Sequence, residues 1–363
     1  MKLGIFMPNL AGAPGVSLAP SSTTPTLEYN VAVAQLDERI GFDFLLPATR
    51  WKSFGGASDQ QGPGLDPFIW AAAVAMRTSR IGVWSTINAP IVPPMLCAKL
   101  GASIQEISGG RWGLNVVSGW NIPEIEMFGK TAVAHDERHA AAEEWVQVVR
   151  TAWTEQDFDF DGRYHRVYGG YLAPKPDPLP TMMVAGESSS SVDLSARLMD
   201  CHFMTSDDPA NLATRVADVR ARAAAHGRTL QLYCPLFVLA RDTEAEAHAA
   251  LERIVGDADL IAVDNVLRIL NIKVKGDSRA DRGYGQWRRS ALEERLITAF
   301  LQPLLVGTPE QVAAKLGEYV AAGVDGVMLD WHDFLGELEY FGDRVLPLLE
   351  QAGLRAPFAG TVR

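Results

Sequence analysis

Cysteine is scarce in this chain of 363 residues. Only Cys97, Cys201 and Cys234 occur, and none forms a CxxC pair. A disulfide framework and a zinc ribbon are therefore not indicated, and Cys97 and Cys201 read as small core hydrophobes. No run of about 18 apolar residues is present, so no membrane span is expected. The opening MKLGIFMPNL is too short an apolar run for a secretory leader, and the cytoplasm is the expected location. Basic charge is in deficit: 33 Lys and Arg against 44 Asp and Glu leave a net charge of −11. That balance argues against nucleic acid or an anionic membrane as a main partner, without forbidding a small anion at a local site. Two histidines, His135 and His139, stand at i, i+4 in HDERH. Asp136 breaks the HExxH pattern and no third ligand is evident, so a solvated first helical turn is the reading and no metal is expected. GxSxG and an early GxGxxG are both missing, which removes the usual signatures of a serine hydrolase and of a dinucleotide fold.

What remains is an ordinary globular composition, 47% hydrophobic and 21% charged, long enough for two domains or one large barrel. Short apolar runs at 2–8, 42–48, 80–86, 111–119, 181–187, 201–206, 231–240 and 323–331 read as strands. Helical patterns separate most of them, at 26–41, 66–79, 93–109, 135–153, 190–199, 209–226, 243–255 and 308–322, with a last one near 333–350. Asp66 is placed to cap its helix, with Pro67 at the first position. Eight strands alternating with helices predict a parallel sheet closed as a (β/α)8 TIM barrel, read as a single domain over 1–363. Three segments exceed ordinary connections: 9–25, 154–180 and 256–305. The last lies between strands seven and eight, on the active-site side of a barrel. It reads either as a mobile lid or as a surface excursion or oligomer contact.

Barrel chemistry concentrates at the C-terminal strand ends. Those ends carry Met7-Pro8-Asn9, Pro47-Ala48-Thr49-Arg50, Ser85-Thr86, Ser118-Gly119-Trp120, Gly186-Glu187-Ser188 and Met204-Thr205-Ser206. The set is mostly neutral and holds no carboxylate pair, which suits a large, flat, partly apolar ligand better than hydrolysis. Asn115 interrupts the apolar run Trp112 to Val117. A buried amide without partners costs about 1–3 kcal/mol, so Asn115 must be satisfied internally or aimed at a ligand. VAGESSSS, 184–191, reads as a strand running into a helix N-terminus. It is either a phosphate seat or a simple serine cap. Arg138 could supply a cation there or pair with Glu137 or the neighbourhood of Glu143. The Trp287-Arg288-Arg289 run faces either solvent or an anionic group.

The segments SGGRWGLNVVSGW, PEIEMFG, FDGRYHRV, PLPTMMVAGES and HDFLGELEYFGDRVLPLL stand in an order that resembles the bacterial luciferase-like flavin monooxygenases over nearly the whole chain. Within that family the sequence is most similar to the RutA-type pyrimidine monooxygenases. The resemblance implies a two-component FMN-dependent monooxygenase. Reduced FMN would come from a separate flavin reductase, which alone would consume NAD(P)H. O2 would then be used to oxygenate, and possibly ring-open, a small N-heterocycle or cyclic amide, through an oxygen adduct at flavin N5.

By matching motif, Thr49 and Arg50 would lie beside the flavin. Thr86 and Asn115 would be catalytic, flanking the isoalloxazine edge and the oxygen site, with Asn115 also binding the cofactor. Glu124 would reach a flavin polar group, and Arg138, His139 and Ser188 the phosphate end. Met7, Phe54 and Trp120 would wall the substrate pocket and keep it dry. His139 stands where the family carries Tyr, and Glu187 where an amide is expected. Deazaflavin (F420)-dependent hydride transfer, alkanesulfonate-type desulfonation and a non-catalytic flavin protein share the barrel. Desulfonation would need a cationic pocket, for which Arg50, Arg288 and Arg289 are the candidates. A homodimer or homotetramer is expected.

Overall fold

The computed structural model describes residues 1–12, 14–131, 135–204, 208–272 and 290–357. Eight parallel strands form the centre. They are β1 (Lys2–Phe6), β2 (Phe44–Leu46), β3 (Gly82–Asn88), β4 (Trp112–Val117), β7 (Thr181–Ala185), β8 (Cys201–Phe203), β9 (Gln231–Ala240) and β11 (Gly326–Asp330). Neighbours run β9-β11-β1-β2-β3-β4-β7-β8, and β8 pairs back onto β9, which closes the barrel. The eight-stranded barrel read from the alternation is thus the fold. Three further strands were not legible as such. β5 (Asp157–Asp161) and β6 (Arg166–Tyr171) make an antiparallel hairpin inside the aromatic segment 154–180. β10 (Leu304–Gly307) pairs with Phe237–Ala240, the outer half of β9.

Strand periodicity resolves the amide in the apolar run. Successive residues point to opposite faces. Trp112, Leu114 and Val116 of β4 pack outward into the main core with the surrounding helices. Gly113 faces inward, where an added Cβ would lie 2.5 Å from the Trp84 ring. Asn115 and Val117 follow on the same inner face and line the cavity above. The barrel floor is built of rings over glycines. Phe44 lies 5.5 Å from Trp84 and 5.3 Å from Tyr233. Gly4 leaves room for the Phe44 ring, and Gly326 for Tyr233.

Several helices begin where short polar side chains satisfy free N–H groups. Thr26 caps α1 (Leu27–Ile40) and Asp66 caps α2 (Pro67–Ala75), which ends earlier than its apolar pattern. α3 (Pro94–Ser108) follows, then α4 (Ile122–Met127), a short helix unseen in the sequence, and α5 (His135–Thr154). α6 (Ser189–Leu198), α7 (Pro209–Ala225) and α8 (Glu244–Gly256) come next. The expected final helix is two, Phe334–Arg344 and Leu346–Gln351, divided at Val345. Pro347, two residues after Val345, has no N–H to continue the first ladder.

The insertion between β9 and β11 contributes α9 (Leu260–Ile269), α10 (Ala291–Ala299) and β10; residues 273–289, which include the Trp287-Arg288-Arg289 run, lie outside the described residues. Its described parts share a second hydrophobic cluster with Val16 of the long first loop and with Phe54. Ser17 Oγ donates to the Ile254 carbonyl at 2.6 Å, and Asp259 N to the Val16 carbonyl at 3.1 Å. The two long loops expected above the barrel are therefore one packed unit beside the strand ends. Among the described residues no helix is long and apolar enough to cross a membrane.

Candidate active site

A cavity of about 490 Å³ opens at the C-terminal ends of the barrel strands. Met7, Thr49, Arg50, Thr86, Asn115, Trp120, Glu124, Arg138, His139 and Ser188 all line it. These residues span 182 positions of sequence (Met7 to Ser188, both ends counted), and only barrel closure brings them together. Phe54 does not line the cavity. It is buried one layer behind, stacked on Phe300 at 5.3 Å. Thr205 and Ser206 lie outside the described residues, as does the side chain of His135. No group of three or more His, Cys, Asp or Glu able to hold a metal occurs among the described residues.

Thr86 and Asn115 are paired in register on β3 and β4. The Thr86 hydroxyl donates to the Pro47 carbonyl at 2.5 Å. A carbonyl only accepts, so that proton is committed. The Asn115 group 3.3 Å from Thr86 Oγ1 must then be the amide nitrogen. This leaves Asn115 Oδ1 buried with no partner among the described residues. Three other cavity residues are alike: Asn88 Oδ1, Ser118 Oγ and Gln302 Oε1 are buried and unpartnered. Buried polar atoms are nearly always bonded, so a cluster of exceptions at one end of a barrel marks a ligand position. By contrast Asn9, also at a strand end, is fully used. Its Nδ2 donates to the Ala48 and Leu65 carbonyls at 2.8 and 2.9 Å, and its Oδ1 accepts from Ala48 N at 2.9 Å. Asn9 clasps the loop after β2 and is structural.

On the far wall stand the residues read from the sequence as either a phosphate seat or a serine cap. Ser188 caps α6, its Oγ accepting from Ser191 N at 3.2 Å. The same oxygen lies 3.3 Å from His139 Nε2. Arg138 Nη1 donates to the Gly119 carbonyl. The alternative ion pairs for Arg138 are taken by others: Glu137 pairs with Arg163 at 2.7 Å and Glu143 with Arg197 at 2.5 Å. Glu187 is exposed and lies 3.4 Å from Arg215, which offsets its charge near the seat.

Arg50 sits among rings. Its guanidinium carbon is 4.7 Å from the Trp120 ring centre, 5.3 Å from Phe54 and 5.6 Å from Phe300. Its Nε donates to Gln61 Oε1 at 2.7 Å. Desolvation lowers its pKa to about 10, against the opposing charge of Glu124. It stays a cation at neutral pH. Glu124 is buried and accepts from Trp51 N at 3.0 Å.

Sequence reasoning missed the wall formed by Phe300, Leu301 and Gln302. Phe300 and Leu301 both adopt left-handed backbone, with φ of 49° and 70°. Such conformations cost non-glycine residues about 1–2 kcal/mol each and cluster at functional sites. Gln302 Nε2 donates to Asp330 Oδ2 at 2.8 Å. Asp330 is fully buried, and desolvation raises its pKa well above the ordinary carboxyl range despite Gln302. One signal was available: Asp330 is a carboxylate directly after the apolar stretch Gly326 to Leu329, yet it did not enter the inventory of strand ends.

The sequence profile described as luciferase-like monooxygenase matches residues 1–326. The FMNH(2)-dependent dimethylsulfone monooxygenase of Pseudomonas fluorescens (strain Pf0-1) is 33% identical over 99% of this chain and 98% of its own length. The pyrimidine monooxygenase RutA of Enterobacter cloacae subsp. cloacae is 31% identical, over 96% of each chain. Among solved structures, the long-chain alkane monooxygenase LadA superposes with a TM-score of 0.86 at 23% identity, covering 100% of this chain and 94% of that one. Profile and relatives agree, and the chain belongs to the luciferase-like monooxygenase family.

Proposed function

We propose that this protein is the oxygenase of a two-component system. It takes reduced FMN from a separate, NAD(P)H-consuming flavin reductase and uses O2 to oxygenate a small molecule. One observation carries the reading: the unpartnered Asn115 Oδ1 stands beside a committed Thr86 hydroxyl at the inner end of the cavity. Such an acceptor calls for an N–H donor on a ligand, and a flavin ring offers one.

The residues present fit the cofactor. Asn115 and Thr86 face the ring position, and Thr49 lies on the same rim. Ser188, His139 and Arg138 together supply a hydroxyl, a ring nitrogen and a guanidinium for the phosphate. Bound reduced FMN supplies the electrons for oxygen activation. The chain's own residues do the rest. Met7 and Trp120 give an apolar wall that excludes water and protects a reactive site from unproductive peroxide release. Thr86 holds the Asn115 amide in one orientation, so its carbonyl is preorganised rather than reoriented on binding.

For substrate, the RutA relative supports an N-heterocycle or cyclic amide such as a pyrimidine, and the 33% identical relative supports a sulfone. Arg50 in its ring of aromatics favours the second. The whole chain acts as one barrel domain in the cytoplasm, assembled as a homodimer or homotetramer.

The test is an anaerobic mix of protein with reduced FMN, followed by oxygenated buffer in a stopped-flow spectrometer. Binding of reduced FMN and reoxidation kinetics distinct from those of the free flavin are expected. Reoxidation identical to free FMN, with no binding, would favour the deazaflavin alternative and remove the roles above. Asn115→Ala should still bind reduced FMN but release H2O2 without oxygenated product. A fully coupled Asn115→Ala would remove the catalytic role of that amide.

A further inference from the structure

We propose that Arg50 is the specificity-determining donor for substrate, and that it receives a neutral group carrying two oxygens on one atom, as in a dialkyl sulfone. The inference rests on the flavin monooxygenase reading and names the substrate class for the same cavity.

Arg50 is anchored at one end only. Gln61 takes its Nε and is itself tied through Nε2 to the Pro14 carbonyl at 2.9 Å. Trp120, Phe54 and Phe300 surround the guanidinium within 6 Å, which fixes its plane. Both Nη atoms then remain, and among the described residues neither makes a hydrogen bond. Arg50 is half-buried and lines the cavity, so the unused fork is open to a ligand that supplies the acceptors. Phe300 completes the box from strained left-handed backbone, a cost the fold retains at this wall.

The fork presents two parallel donors, which match two oxygens borne by a single atom. A cyclic amide offers one oxygen per carbon, and its N–H has no acceptor on a guanidinium. Charge narrows the class further. Buried Glu124 acts on Arg50 without forming an ion pair within 4 Å among the described residues, so the fork stays open while the local charge is balanced. A sulfone, strongly dipolar but uncharged, suits that balance. A sulfonate would bring a full negative charge toward Glu124. Trp120, which lines the cavity, and Phe54, one layer behind it, hold Arg50 at the cavity wall.

The experiment uses the full chain loaded anaerobically with reduced FMN. Dimethyl sulfone, methanesulfonate and uracil are titrated calorimetrically into wild type, Arg50→Lys and Glu124→Gln, with circular dichroism checking each fold. Wild type should bind dimethyl sulfone at least about tenfold more tightly than methanesulfonate or uracil. Arg50→Lys should lose about tenfold or more in sulfone affinity, because an ammonium is a point donor, while FMN affinity stays within about twofold. Glu124→Gln should narrow the gap between methanesulfonate and sulfone, and it carries the test should Arg50→Lys not fold. The proposal is overturned by an Arg50→Lys that keeps sulfone affinity or loses FMN instead, by a wild type that prefers uracil or methanesulfonate, or by an unchanged gap in Glu124→Gln. Failure of wild type to bind reduced FMN is a different result and strikes the flavin reading beneath it.

Discussion

Thr86 and Asn115 face each other across β3 and β4, 3.3 Å apart, and the threonine hydroxyl donates its only hydrogen bond to the Pro47 carbonyl rather than to the cavity. The two side chains divide the work. Thr86 orients, and Asn115 carries the free acceptor. The arrangement depends on parallel register, which sets residue against residue on the same inner face.

Thr86→Val tests that division. It keeps the shape but strands the Pro47 carbonyl and removes the acceptor for the Asn115 amide. A stability loss of about 1–3 kcal/mol is expected, read by denaturant unfolding, together with a lower ratio of product to O2 consumed. Thr86→Ser should restore both. If Thr86→Val stays as stable and as coupled as wild type, Thr86 does not orient Asn115.

His202 makes the fold acid-sensitive. It is fully buried on β8, and desolvation with the nearby charge of Arg215 lowers its pKa from 6.5 to about 4. Below pH 6.5 the unfolded chain takes up a proton that the folded chain refuses until about pH 4. Stability therefore falls across that window as pH falls, by about 3 kcal/mol in total, and is unaffected above it. Unfolding midpoints measured from pH 7 to pH 4 should show this slope, and His202→Gln should flatten it. Parallel slopes in the two proteins would assign the acid sensitivity elsewhere.

Gly113→Ala should destabilise the barrel floor. The new methyl would sit 2.5 Å from the Trp84 ring, which is itself held against Phe44. Overpacking of this kind costs about 1–3 kcal/mol. A thermal midpoint equal to wild type would mean that the floor can relax. Trp84→Leu in the same background should recover part of the loss.

Much of this was legible along the chain. Alternating apolar runs and capped helical patterns gave the barrel, because strand and helix periodicities are local properties of a few residues. Asn115 was legible as an anomaly, since an amide in an apolar run is visible without coordinates. The hairpin Asp157–Asp161 and Arg166–Tyr171 was hidden, because its burial alternates weakly and much of it stays exposed. Asp330 was present in the reading as the end of a strand, but its partner Gln302 lies 28 residues earlier, and nothing local links them.

The sequence by itself determined the barrel, its strand order and the mostly neutral set of side chains at the strand ends. Tertiary structure alone decided how those side chains use one another. Arg50 meets Phe300, 250 positions away, only because barrel closure and the packed insertion bring both to one rim. Which amide is spent and which is free depends on proton counting among neighbours in space. Propensity and periodicity act over a few residues, whereas strand register and closure fix contacts across the whole chain.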